Sequence, residues 1–104
     1  MKILIMCSAG MSTSLLVTRM EKYVQESGYE NIVIKAVSVD QLPDLVDDFD
    51  VFLLGPQVQY MEEWVKGIIE KKGKGYANIP ILVYGRVDEK STFDLARTLF
   101  TSKE

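Results

Sequence analysis

The sequence contains no histidine and only one cysteine, Cys7. The missing imidazole removes Ser-His-Asp and Cys-His nucleophile arrangements together with the commonest metal ligand. A single thiol excludes an internal disulfide and suits a reducing compartment. With one Cys and no His, a structural zinc site has no ligand set, and neither a metal nor any other cofactor is expected. Excess positive charge is absent too. Twelve Lys and Arg stand against fifteen Asp and Glu, for a net charge of −3, with the signs interspersed. Such a surface offers no basic stripe for nucleic acid and no polybasic membrane anchor. The longest apolar runs, Ile3 to Met6 and Val51 to Leu54, fall far short of the ~20 residues that span a bilayer. Lys2 is followed at once by a short apolar stretch ending in turn chemistry, so no signal peptide and a cytoplasmic location are expected. Any nucleophile must be activated by backbone, dipole, cation or a partner protein.

What remains is a chain of 104 residues, 47% hydrophobic, sized for one compact domain over 1–104 with a single core. Its segments alternate in character. Residues 2–6 form an apolar run suited to a strand buried on both faces. Leu15, Leu16, Met20, Tyr23 and Val24 then recur at helical spacing, and Gly28 stops that helix. Residues 31–38 are rich in β-branched types and read as a second strand. A short helix is predicted over about 39–48, with Leu42, Leu45 and Val46 inward, and a third strand over 50–54 closed by Gly55-Pro56. The clearest helix spans about 58–72, with Met61, Trp64, Val65, Ile68 and Ile69 as its apolar stripe. Pro80 is read as opening a fourth strand, 81–84, and a last helix runs over about 89–100 behind Asp88 as N-cap, with Phe93, Ala96, Leu99 and Phe100 on one face.

Four strands each followed by a helical segment predict an α/β fold, a parallel sheet sandwiched between helix layers. Ligands bind such sheets beyond the carboxyl ends of the strands, near the switch in strand order. Attention therefore falls on Cys7 to Ser14, Gly55 to Tyr60, and Tyr84 to Asp88.

The segment Cys7-Ser-Ala-Gly-Met-Ser-Thr-Ser14 sits where the first strand hands over to the first helix. Its composition suits a phosphate cradle built from Ser8, Ala9, Gly10, Met11, Ser12, Thr13 and Ser14. Gly10 can adopt φ > 0 and so let successive backbone N–H groups converge on an anion. The hydroxyls of Ser12, Thr13 and Ser14 add donors, and the helix N-terminus adds roughly half a positive charge. These features favour an anionic, nucleophilic thiolate as much as a phosphate. The plain alternative is that Cys7 is a small buried hydrophobe and the hydroxyl cluster only a cap and a turn. Its being the chain's one cysteine, at the ligand-binding edge, favours a working residue.

Cysteine-based phosphate loops occur in the low-molecular-weight tyrosine phosphatases, where an arginine follows the cysteine and pairs bidentately with the phosphoryl group. Here Thr13 stands in that position, and no arginine precedes Arg19. A phosphatase also needs a leaving-group acid, for which Asp88 is the candidate. Without the arginine, the loop is suited to accepting and handing on phosphate.

Three segments carry a resemblance: Lys2-Ile-Leu-Ile-Met-Cys-Ser-Ala-Gly-Met-Ser-Thr-Ser-Leu-Leu-Val17, Leu53-Leu-Gly-Pro-Gln-Val58 with Tyr60-Met61, and Tyr84-Gly-Arg-Val-Asp88. Over essentially the whole chain the sequence resembles the enzyme IIB components of the sugar phosphotransferase system, in the lactose/cellobiose/chitobiose family. The resemblance implies a three-layer sandwich with a four-stranded parallel sheet in the order 2-1-3-4, similar to the small tyrosine phosphatases. It also implies that Cys7 is the phosphorylated residue. The donor would be a phosphohistidine of the IIA component, and the acceptor a β-linked disaccharide bound by the membrane-embedded IIC component, where the chain would dock on the inner face. Both partners would approach one face, making Met11, Pro56, Val58, Tyr60 and Tyr84 candidate contacts, although Tyr60 reads equally as the first core residue of the third helix. Trp64 reads as core. The acidic residues Asp44, Asp47, Asp48 and Asp50 and the basic run 71–74 read as solvated. A small phosphatase or arsenate reductase of similar fold, and a non-catalytic anion- or nucleotide-binding module, are the competing readings.

Overall fold

A computed structural model describes residues 1–8 and 11–101; for Met11 and Ser12 it describes the backbone alone. In chain order the elements are β1 (Lys2–Cys7), α1 (Met11–Glu26), β2 (Val33–Ser38), α2 (Leu42–Leu45), β3 (Val51–Leu54), α3 (Glu62–Lys71), β4 (Gly75–Asn78), α4 (Ile81–Gly85) and α5 (Glu89–Thr101). Short 3-10 segments, Val39–Gln41 and Pro56–Met61, precede α2 and α3.

The strands form one parallel sheet in the order β2-β1-β3-β4. β1 and β3 are central, and Ile3 to Met6 and Val51 to Leu54 are all fully buried. Alternation along these strands divides the core in two. Ile3, Ile5, Val51 and Leu53 point to one face, where they meet Leu16 and Met20 of α1 and Phe93 and Ala96 of α5. Leu4, Met6, Phe52 and Leu54 point to the other, against Leu42 of α2, Val58, and Val65 and Ile69 of α3. A sheet between two helix layers results, as the resemblance implied.

The fourth strand is not where the apolar run predicts. β4 is Gly75–Asn78, in register with β3 from Val51↔Gly75 to Leu54↔Asn78, and 81–84 belongs to α4. Pro80 is the N-cap of that helix. The Ile-Leu-Val-Tyr run has strand composition, but the sheet position beside β3 is already filled, and Ile79 continues the pairing by donating to the Leu54 carbonyl at 2.9 Å. The helix expected over 58–72 begins regularly only at Glu62, because Val58 has a non-helical φ of −117°.

Two side-chain assignments also change. Trp64 is 41% exposed, on the rim of α3. Lys74 is not simply solvated: its ammonium donates to the carbonyls of Val46 and Phe49 at 2.8 and 2.7 Å, satisfying backbone acceptors in the turn after α2.

Candidate active site

Cys7 is the last residue of central strand β1, at the carboxyl edge of the sheet where strand order switches direction. Its side chain is only 5% exposed, and its thiol S–H donates to the Val37 carbonyl of β2 at 3.5 Å. Ser8 follows in an exposed bend. α1 starts at Met11, so the backbone N–H groups of its first turn have no acceptor within the helix and face the same edge.

Of the predicted phosphate-binding residues, Ala9 and Gly10 lie outside the described residues, as do the side chains of Met11 and Ser12. Thr13 and Ser14 can be followed, and they differ. Thr13 is 1% exposed, and its hydroxyl is hydrogen-bonded to the hydroxyl of Tyr84, 71 residues later in the chain. Ser14 is exposed and borders a groove with Val17, Thr18, Ile34 and Lys35, between α1 and β2.

The loop after β3 stands directly behind the cysteine. The Gly55 N–H donates to the Met6 carbonyl at 2.8 Å. A methyl group on Gly55 would lie 3.1 Å from that carbonyl oxygen and 3.7 Å from the Cys7 Cβ.

A third segment closes the edge from the far side. α4 ends in a Schellman motif: the Val87 N–H donates to the Tyr84 carbonyl at 3.1 Å, and the Asp88 N–H to the Val83 carbonyl at 3.0 Å. The left-handed position of that motif, usually glycine, is held by Val87 at φ 51°. A β-branched residue there is strained, and such strain collects where surrounding structure fixes a functional geometry. A cavity of about 380 Å³ opens between this segment and the β3 loop, lined by Pro56, Gln57, Ile81, Tyr84, Gly85 and Val87.

The expected contact residues therefore separate. Tyr60 is 83% exposed, and Pro56 is half-buried on the cavity wall. Val58 was expected at a surface but is 1% exposed; its side chain completes the core beneath the 3-10 segment. Tyr84 is buried, with its hydroxyl on Thr13 and its ring on the cavity. Ile81 and Leu82, assigned by sequence to a buried strand, are instead 74% and 67% exposed beside it.

Residues 2–94 match the family described as the lactose/cellobiose-specific IIB subunit of the phosphotransferase system. The chain belongs to this family. Its members are phosphotransferases, and the chain is a sugar-specific IIB component. It is 34% identical over 102 residues to the oligo-beta-mannoside-specific EIIB component of Bacillus subtilis, covering 98% of each chain. The galactose-specific EIIB component of Lactococcus lactis subsp. cremoris is 40% identical over 79 residues, 72% of this chain and 68% of that protein. Among solved structures, the cellobiose-specific IIB component of Borrelia burgdorferi superposes with a TM-score of 0.85 at 38% identity, over 100% of this chain and 94% of that one.

The residues that would make an IIB fold into a phosphatase are poorly placed for that work. Arg19 is exposed on α1, in a surface groove with Lys22, Tyr23, Glu26 and Glu89. Asp88 is the N-cap of α5: its carboxylate accepts the Ser91 N–H at 3.0 Å and the Ser91 hydroxyl at 2.8 Å. Those two bonds, the backbone one foremost, hold its carboxyl below the usual carboxylate range, which makes it a poor proton donor to a leaving group.

Proposed function

We propose that Cys7 carries the phosphoryl group, taking it from a phosphohistidine of the IIA component and passing it to a β-linked disaccharide bound by the membrane IIC component. The observation that supports this best is the position of the chain's only cysteine, at the end of the central strand on the sheet edge where α1 begins. The names of the relatives, specific for oligo-beta-mannoside, galactose and cellobiose, are consistent with a sugar acceptor. Work on the cytoplasmic side, docked on IIC, belongs to the same reading.

The chemistry divides into two in-line displacements. The Cys7 thiolate attacks phosphorus; an S–P bond forms, the P–N bond to the donor imidazole breaks, and its electron pair stays on nitrogen. A sugar hydroxyl then attacks the same phosphorus from the far side. An O–P bond forms, the S–P bond breaks and returns the thiolate, and the hydroxyl proton passes to a base of IIC. Backbone N–H groups from Ser8 to Ser14 would hold the equatorial oxygens through both steps, where charge is spread. The donor supplies the imidazole that this chain lacks.

With phosphoenolpyruvate and the upstream phosphotransferase proteins, the chain should acquire one phosphoryl group, released by iodine. Cys7→Ser should acquire none. An unmodified wild-type chain, or a labelled Cys7→Ser chain, would overturn the proposal.

A further inference from the structure

Resting on the phosphocarrier reading of Cys7, we propose that Tyr84 is a positioning residue for phosphoryl transfer, acting through Thr13 on the first turn of α1. Three observations converge on this pair. Thr13 is 1% exposed and Tyr84 is 8% exposed, so the hydrogen bond between their hydroxyls is shielded from water. The bond joins elements that the backbone leaves separate: Thr13 is the third residue of α1, and Tyr84 lies on α4, which follows the edge strand β4 in the chain. Finally, the segment carrying Tyr84 is fixed in a costly conformation, with Val87 left-handed in the Schellman motif whose acceptors include the Tyr84 carbonyl.

The physical consequence follows from Thr13's place in the helix. Its backbone N–H belongs to the first turn, whose donors find no acceptor within α1. Removing the Tyr84 oxygen leaves a buried threonine hydroxyl without its partner. The side chain must then rotate or the turn must shift to pair it. Donors aimed at a transferring phosphoryl group lose effect steeply with displacement, on the order of a hundredfold for 1 Å. Thr13 thus serves the loop by being held, its hydroxyl turned toward α4, and Tyr84 does the holding.

The test measures single-turnover transfer from phosphorylated IIA to Cys7, with IIA concentration varied to separate kcat from KM and thermal unfolding recorded alongside. Tyr84→Phe keeps the ring on the cavity wall and should lower kcat roughly tenfold, as loss of one buried hydrogen bond implies, with KM unchanged. Thr13→Val should show the same loss, and Thr13→Ser should recover most of it by restoring the hydroxyl. The double variant Thr13→Val/Tyr84→Phe should be no slower than the slower single variant, because both changes break one link. Wild-type kcat in Tyr84→Phe, multiplicative losses in the double variant, or a change confined to KM would overturn the proposal; the last would make Tyr84 a docking wall. If Tyr84→Phe does not fold, the Thr13→Val and Thr13→Ser pair decides the matter: equal rates in the two overturn it. An unlabelled wild-type chain would instead overturn the phosphocarrier reading on which the proposal rests.

Discussion

At Gly55 the backbone is extended, with φ −68° and ψ 151°, so its dihedral angles do not call for glycine. What calls for it is proximity: an added methyl group would meet the Met6 carbonyl oxygen at 3.1 Å and the Gln57 Oε1 at 3.3 Å. Gln57 is exposed and can swing away, but Met6 belongs to the central strand, paired on both sides, and cannot. Gly55→Ala should therefore push the β3 loop off the end of β1, at a cost of about 1–2 kcal/mol in overpacking. Urea unfolding measures that cost, and no loss of stability would show that the loop yields freely. In the sequence Gly55-Pro56 reads as the close of the third strand, and no residue pattern carries this distance. The same limit hid the Thr13–Tyr84 pair. By sequence one residue reads as a phosphate ligand and the other as a partner contact, and only the fold brings their hydroxyls together.

Among the elements, those with strong periodicity were legible. β1 and β3 are continuous apolar runs because both of their faces are covered, and α1 and α5 carry clear stripes. β4 was not legible, and the reason is physical. Gly75-Tyr-Ala-Asn78 is an edge strand, half-buried throughout and paired in the sheet with β3, so it lacks both the apolar run and clean alternation. The Ile81-Leu-Val-Tyr84 run satisfied the strand pattern but folds as one turn of helix with its first two side chains in solvent. The two assignments predict opposite stabilities. Ile79, 2% exposed against the α5 face, should cost about 2–4 kcal/mol when truncated to Ala. Ile81→Gln with Leu82→Gln should change stability by no more than about 0.5 kcal/mol. A loss of several kcal/mol on the Gln substitutions would restore 81–84 to the sheet.

Across the whole molecule, the edge strand is secured by one carboxylate. Glu62, the first residue of α3, accepts the Tyr76 hydroxyl at 2.7 Å and the Asn78 amide at 3.0 Å, two residues that share a face of β4. The Tyr76 hydrogen bond foremost, then that of Asn78, holds the Glu62 carboxyl below its ordinary 4.5. The same bond, with desolvation second, pushes Tyr76 from 10.0 up to about 12. The signs of linkage then fix the shape of the stability profile. As pH falls below 4.5, the unfolded chain takes up a proton at Glu62 that the folded chain resists, so stability is lost through the depressed value. As pH rises from 10.0 toward about 12, the unfolded chain releases the Tyr76 proton while the folded chain keeps it, and stability falls again. Both groups contribute in full between those limits. Glu62→Gln keeps the size of the side chain but replaces the charged acceptor of the Tyr76 hydrogen bond with a neutral one. Its urea midpoint should be lower than wild type near neutral pH, with shallower losses on both the acid and alkaline sides. Because Glu62 and Tyr76 are only half-buried, salt should narrow the difference. Parallel profiles for wild type and variant would mean that β4 is held by the sheet alone and that this carboxylate is incidental to it.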